Sequence, residues 1–285
     1  GLAQRLAVRV ALGVAVRVGL AVALGVAVRD RVGLPHVGVA VAVGSWRADH
    51  AEPAVIRLVV TDLDGTLLAP DGTIPDANVE AIREAHSAGW AVAVATGRPV
   101  RWLDCLDPIA DLHPYVLASN GAVVYDLASG EVLRSHAFDR AAVVEITDAI
   151  SAAVGGVLFG LERGDLFGTE PGSPSDHRNL PGVLLRPLAE LVERVSPVVK
   201  VLAYSRSMGT DALASEISDA VGALATVTTS LVHDQFGMAE LSVPGVTKAR
   251  TLAELCADLG VEASEVVAFG DMPNDLEMLD WAGRA

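Results

Sequence analysis

The chain has 285 residues, 51% of them hydrophobic, which excludes wholesale disorder and allows one large or two modest domains. Its formal net charge is −15. Six arginines face only Asp30 and Asp49 within the first 50 residues, a net of +4, so the remaining body carries −19. A body that acidic repels nucleic acid and argues against a nucleic-acid partner.

Residues 1–44 consist almost wholly of Val, Ala, Gly, Leu and Arg, with ALGVAVR at 11–17 and again at 23–29. The stretches free of Arg in this segment, Val18–Val28 and Val32–Trp46, are both too short for a membrane span, which needs about 20 apolar residues. Residues 1–52 therefore read as a low-complexity extension outside the functional fold.

From residue 55 the pattern changes. VIRLVV (Val55–Val60) reads as a buried parallel strand that stops at Thr61-Asp62-Leu63-Asp64-Gly65-Thr66. A helix follows over Asp76–Ala88, closed by Gly89. The strand Trp90–Ala95 ends at Thr96-Gly97-Arg98-Pro99, and a helix through Trp102 and Leu106 leads to a third strand, Tyr115–Ala118, ending at Ser119-Asn120-Gly121. Further on, Lys248 opens a helix running to Leu259, and the strand Val266–Phe269 ends at Gly270-Asp271-Met272-Pro273-Asn274-Asp275.

Strands alternating with helices predict a parallel sheet covered on both faces, with ligands at the carboxyl edge. Four strand ends would thus deliver Asp62 with Asp64, Thr96 with Arg98, Asn120, and Asp271 with Asp275 to one rim. Two aspartates two apart could simply be turn residues capping a helix. Three carboxylates on one rim, however, repel one another and call for a divalent cation, and an oxygen-only donor set favours Mg²⁺. One carboxylate can attack phosphorus while a second moves the proton. Lys248 opposes the dipole at its helix N-terminus, a local violation that a phosphate beside it would relieve. Ser119 lacks the glycine framing of a nucleophile elbow, which argues against a serine hydrolase. The histidines show no ligand spacing. Cys105 and Cys256 are in no metal-ligand spacing either; as free thiols they fit a reducing, cytoplasmic setting.

DLDGTLL, ATGRP, SNGA, a Lys preceding a helix, and GDMPNDLEML resemble the haloacid dehalogenase superfamily, in its Cof-type, sugar-phosphatase-like branch. The match runs over about residues 55–285. The resemblance implies a Rossmann-like α/β core with an inserted mixed α/β cap, and a Mg²⁺-dependent phosphatase of small phosphorylated metabolites working through an aspartyl-phosphate. It implies Asp62 as nucleophile and Asp64 as general acid/base, Thr96 on the transferring phosphoryl group, and Lys248 neutralising both nucleophile and phosphate. Gly65, Thr66, Gly97, Arg98 and Asn120 would line the substrate. Asp62, the Asp64 carbonyl and Asp271 would ligate Mg²⁺, with Asn274 and Asp275 in support.

The implied organisation is a core over 53–138, a cap over 139–235 and a second core part over 236–285, lacking its usual C-terminal strand and helix. Within the insert the pattern predicts helices over Ala142–Ala153, Leu188–Val195 and Asp211–Val221. Strands are expected at Val157–Leu161, Leu166–Gly168, Val198–Tyr204, Ala225–Thr229 and Met238–Val243. Asp165, His177, Arg178 and Asn179 are candidates for lining the cap. A phosphomutase, which returns the phosphoryl group to its substrate, and a non-catalytic phosphate-binding protein remain open at this level.

Overall fold

The computed structural model describes residues 55–174, 182–229 and 235–285. The 1–52 extension, His177, Arg178, Asn179 and His233 lie outside the described residues.

Two six-stranded sheets organise the chain. The first has the order β12-β1-β2-β3-β4-β5, with β1 at Leu58–Asp62, β2 at Ala91–Ala95, β3 at Tyr115–Ala118, β4 at Val123–Asp126, β5 at Glu131–Ser135 and β12 at Val266–Phe269. Strands β12, β1, β2 and β3 are mutually parallel, and β4 and β5 add an antiparallel hairpin. That hairpin is absent from the sequence-level pattern. Its turn is closed by the Asp126 carboxylate, which accepts from the Ala128 and Ser129 amides.

The alternation of side chains along these strands builds a core on each face. Val59, Val92, Val94 and Val116 pack with Ala81, Ile82 and Ala85 of α1 (Asp76–Ser87) and with Leu106 and Ile109. Leu58, Val60, Ala93 and Leu117 pack with Leu252, Leu255 and Cys256 of α5 (Lys248–Leu259) and with Met278 of α6 (Leu276–Trp281). Each fully buried Leu or Val contributes roughly 1.5–3 kcal/mol by leaving water. Strand β1 begins later than VIRLVV suggests and carries on through Asp62, which pairs in register with Ala95. The helix expected through Trp102 and Leu106 is two 3₁₀ segments, Val100–Trp102 and Asp104–Leu112, the second containing Pro108, which has no N–H to give an α-helical ladder. Beside β12, the Ala268 amide donates to Arg284 O and the Arg284 amide to Val266 O.

The second sheet has the order β10-β11-β9-β6-β7-β8. It comprises Thr226–Thr228, Gly237–Ser242, Lys200–Ser205, Leu158–Glu162, Phe167–Thr169 and Leu184–Leu185, respectively. One face, with Phe159, Leu161, Val201, Ala203, Ala239 and Leu241, is covered by α2 (Arg140–Ala153), α3 (Leu188–Val195) and α4 (Thr210–Val221). The opposite face carries Phe167, Leu202, Tyr204 and Met238, and on the same face lie Glu162, in register with Phe167 and Lys200, and Glu240, in register with Leu202. Because β11 pairs with β9 and β10, this unit runs to Ser242 and not to residue 235. No helix of the described residues is long and apolar enough to cross a membrane.

Candidate active site

Parallel pairing of β12, β1, β2 and β3 puts the polar residues that follow each strand on one edge. At its centre is Lys248, the first residue of α5 and only 2% exposed. Thr247 caps that helix by accepting from the Arg250 amide, which sets the backbone so that Lys248 turns inward. Its Nζ donates to Asp62 Oδ1 at 2.6 Å and to Asp275 Oδ1 at 2.7 Å. A buried ammonium between two buried carboxylates is a charge-assisted arrangement, costly to desolvate and rigid once made.

Carboxylate oxygens of Asp62, Asp271 and Asp275 all lie within 4.8 Å of one another. Asp275 Oδ2 accepts from the Asp271 and Met272 amides, which fixes the turn after β12. Thr66 donates to Asp271 Oδ1 at 2.9 Å. Gly65 has φ +87°, and a Cβ there would stand 2.3 Å from Asp271 Oδ2, so only glycine lets the β1 turn approach the β12 turn this closely. The Asp62 carboxyl is raised to about 6: burial drives it up, Lys248 pulls it down and the neighbouring Asp275 pushes it up again.

Two buried acceptor oxygens at this edge, Asp62 Oδ2 and Asn274 Oδ1, have no hydrogen-bond partner. Orphaned buried acceptors beside three converging carboxylates fit a hard, oxygen-seeking cation such as Mg²⁺.

Asp64 stands apart from this cluster. Its half-exposed carboxylate is held in a two-point bridge by Arg98, whose Nη2 and Nε donate at 2.6 and 2.9 Å. Arg98 therefore faces Asp64 and not open solvent. Thr96 is fully buried, and its Oγ1 accepts from the Arg98 amide at 3.0 Å. The Asn120 amide donates to Thr96 O, tying the loops after β2 and β3 together. Asn120, at φ +59°, turns its side chain to Asn274 and to Glu240 of the second sheet. Gly97 offers its carbonyl to Lys200 Nζ at 2.8 Å. Asp165 does not reach this edge by any bond and pairs with Arg163 instead.

Four residues outside the sequence motifs join the two units: Lys200, Glu240, Glu162 and Arg101. Lys200 pairs with Glu240 at 3.1 Å, and Arg101 pairs with Glu162 while lying over the Trp102 and Phe167 rings. A signal existed. Lys200 in VVKVLAY and Glu240 in MAELSV interrupt apolar strands, and a charge at a buried strand position wants a partner.

The model of the haloacid dehalogenase-like hydrolase family matches residues 59–285. The chain belongs to that family, as a phosphatase of its Cof type. It is 25% identical over 240 residues to the 5-amino-6-(5-phospho-D-ribitylamino)uracil phosphatase of Bacillus subtilis, covering 79% of this chain and 84% of the relative. It is 27% identical over 241 residues to the HMP-PP phosphatase of an Enterobacter species, covering 80% and 82%. Among solved structures, a phosphatase of the superfamily from Bacteroides thetaiotaomicron superposes with a TM-score of 0.67 at 23% identity, over 84% of this chain and 86% of that one. Phosphatase activity towards small phosphorylated metabolites follows from this membership.

Proposed function

We propose that this phosphatase is a Mg²⁺-dependent phosphomonoesterase that forms an aspartyl-phosphate on Asp62, with a sugar phosphate or similar metabolite as substrate. The observation that carries the reading is the Asp62 carboxylate: one oxygen is gripped by Lys248, and the other is buried, unpartnered and beside two further carboxylates. A nucleophile needs one free oxygen and a fixed direction, and Lys248 supplies the direction.

Asp62, Asp271 and the Asp64 carbonyl would hold the cation, with Asn274 and Asp275 in support. Mg²⁺ bound there neutralises phosphoryl charge that an edge of three carboxylates would otherwise repel. Asp62 attacks phosphorus, the ester P–O bond breaks, and Asp64 protonates the departing alkoxide. Asp64 then takes a proton from water attacking the acyl-phosphate, which releases inorganic phosphate and restores Asp62. Before the first transfer Asp64 leaves its Arg98 bridge and takes a proton from solvent, and after the second it gives that proton back to solvent as the bridge closes again, so Arg98 holds the ionised Asp64 between turnovers. Thr96, Lys248 and the turn at Gly65 and Thr66 cradle the phosphoryl group. Gly97, Arg98 and Asn120 border the leaving group beneath the second unit, which covers the site as a cap.

The test is release of phosphate from p-nitrophenyl phosphate and a panel of sugar phosphates. Activity is expected with Mg²⁺, lost in excess EDTA and absent in Asp62→Asn under all conditions. Full turnover by metal-free protein, or by Asp62→Asn, would refute the mechanism.

A further inference from the structure

The buried Lys200–Glu240 pair does more than join the cap to the core. Glu240 is 5% exposed and Lys200 4% exposed. A buried ion pair is weak evidence for stability, since apolar replacements of similar volume often match it. What distinguishes this pair is the chain of hydrogen bonds that leaves it. Glu240 Oε1 engages Lys200, whose Nζ also donates to Gly97 O. Glu240 Oε2 accepts from Asn120 Nδ2 at 2.8 Å, and Asn120 Oδ1 accepts from Asn274 Nδ2 at 3.2 Å. Asn274 lies on the turn Pro273–Asp275, between the two carboxylates contributed by Asp271 and Asp275.

This chain has a sense. A carboxylate paired with a lysine is ionised and can only accept, so Asn120 must offer Glu240 its NH₂ group. The carbonyl oxygen of Asn120 is then left to accept, and Asn274 must fill it with its own NH₂. Asn274 Oδ1 is what remains over: a buried acceptor without a partner, on the turn that carries two of the three clustered carboxylates. We propose that Glu240 is a positioning residue of the cap, which sets the direction of the Glu240–Asn120–Asn274 relay and so leaves an acceptor oxygen towards the cation. The inference rests on the Mg²⁺ reading of the site. It implies that cap engagement raises affinity for the cation before any substrate contact is made.

Glu240→Gln tests it, because an amide can accept or donate and no longer dictates the sense of the relay. Mg²⁺ affinity is measured by calorimetry on the substrate-free full chain. The expected result is a weakening of about 10- to 100-fold, the range for losing an outer-shell partner of a metal site. Asn120→Ala should weaken it similarly, and the double variant no more than either single one, since both cut the same relay. Arg101→Leu breaks a separate cap–core contact, the one to Glu162, and should bind Mg²⁺ as the wild type does. If Glu240→Gln melts early because Lys200 is left unpaired, Lys200→Met/Glu240→Gln removes that charge and must show the same weakening. Wild-type affinity in the Gln variants overturns the inference, as does an equal loss in Arg101→Leu. Wild-type protein that binds no Mg²⁺ would refute the proposed function as well, so the two failures are told apart.

Discussion

Replacing Lys248 by Met keeps an unbranched side chain of similar length and removes only the ammonium. Asp62 and Asp275 are 5% and 0% exposed and both bond to that ammonium, so the variant leaves two buried carboxylates facing each other without a cation. Burial already lifts the Asp62 carboxyl to about 6 against the pull of Lys248. Without that pull it rises further. Removing one partner of a buried ion pair costs about 3–5 kcal/mol. At about 2–4 °C per kcal/mol for a chain of this size, the melting temperature in EDTA should fall by roughly 6–20 °C. Added Mg²⁺ should raise the melting temperature of Lys248→Met by more than that of the wild type. The metal then meets the same carboxylates without a competing ammonium, and binding to the native state stabilises it by mass action. Turnover should be lost in either condition. The assay is a thermal melt of both proteins in EDTA and in saturating Mg²⁺. A variant melting within about 2 °C of wild type in EDTA, less than one kcal/mol of change, would refute the reasoning. So would a smaller Mg²⁺ shift in the variant.

Gly65→Ala forces a Cβ to within 2.3 Å of Asp271 Oδ2 at a φ of +87°. The expected outcome is a folded protein destabilised by about 1–3 kcal/mol, needing more Mg²⁺ for half-maximal activity; an unchanged Mg²⁺ titration would show that the two turns do not meet as described. Asp64→Asn should lower kcat by about 10²–10⁴-fold, the usual worth of a positioned proton donor. Its Mg²⁺ affinity should hold, because the Asp64 carboxylate lies outside the acidic cluster, and a calorimetric loss of affinity matching the loss of rate would contradict that placement.

The sequence by itself determined the core and the identity of its rim. Short β-branched runs can be satisfied only in a strand buried on both faces, and each such run is followed at once by polar residues. Parallel pairing then has one outcome: Asp62, Thr96, Asn120 and Asp271 at the same edge. Lys248 was legible for a related reason, since a cation at a helix N-terminus is unfavourable unless an anion answers it, and Asp62 and Asp275 do. Tertiary structure decided what depends on partners distant in the chain. The β4–β5 hairpin leaves no periodic signal because its strands are short and β5 is largely exposed. The strand Gly237–Ser242 joined the cap because its register partners are Val201–Ser205, not the core strands nearest in sequence. Arg98 had open choices as a surface arginine, and only the fold set its fork against Asp64. The link from Glu240 through Asn120 to Asn274 joins residues 120 and 154 positions apart in the chain. Hydrogen bonds of that kind follow from where two sheets meet, which no local pattern encodes.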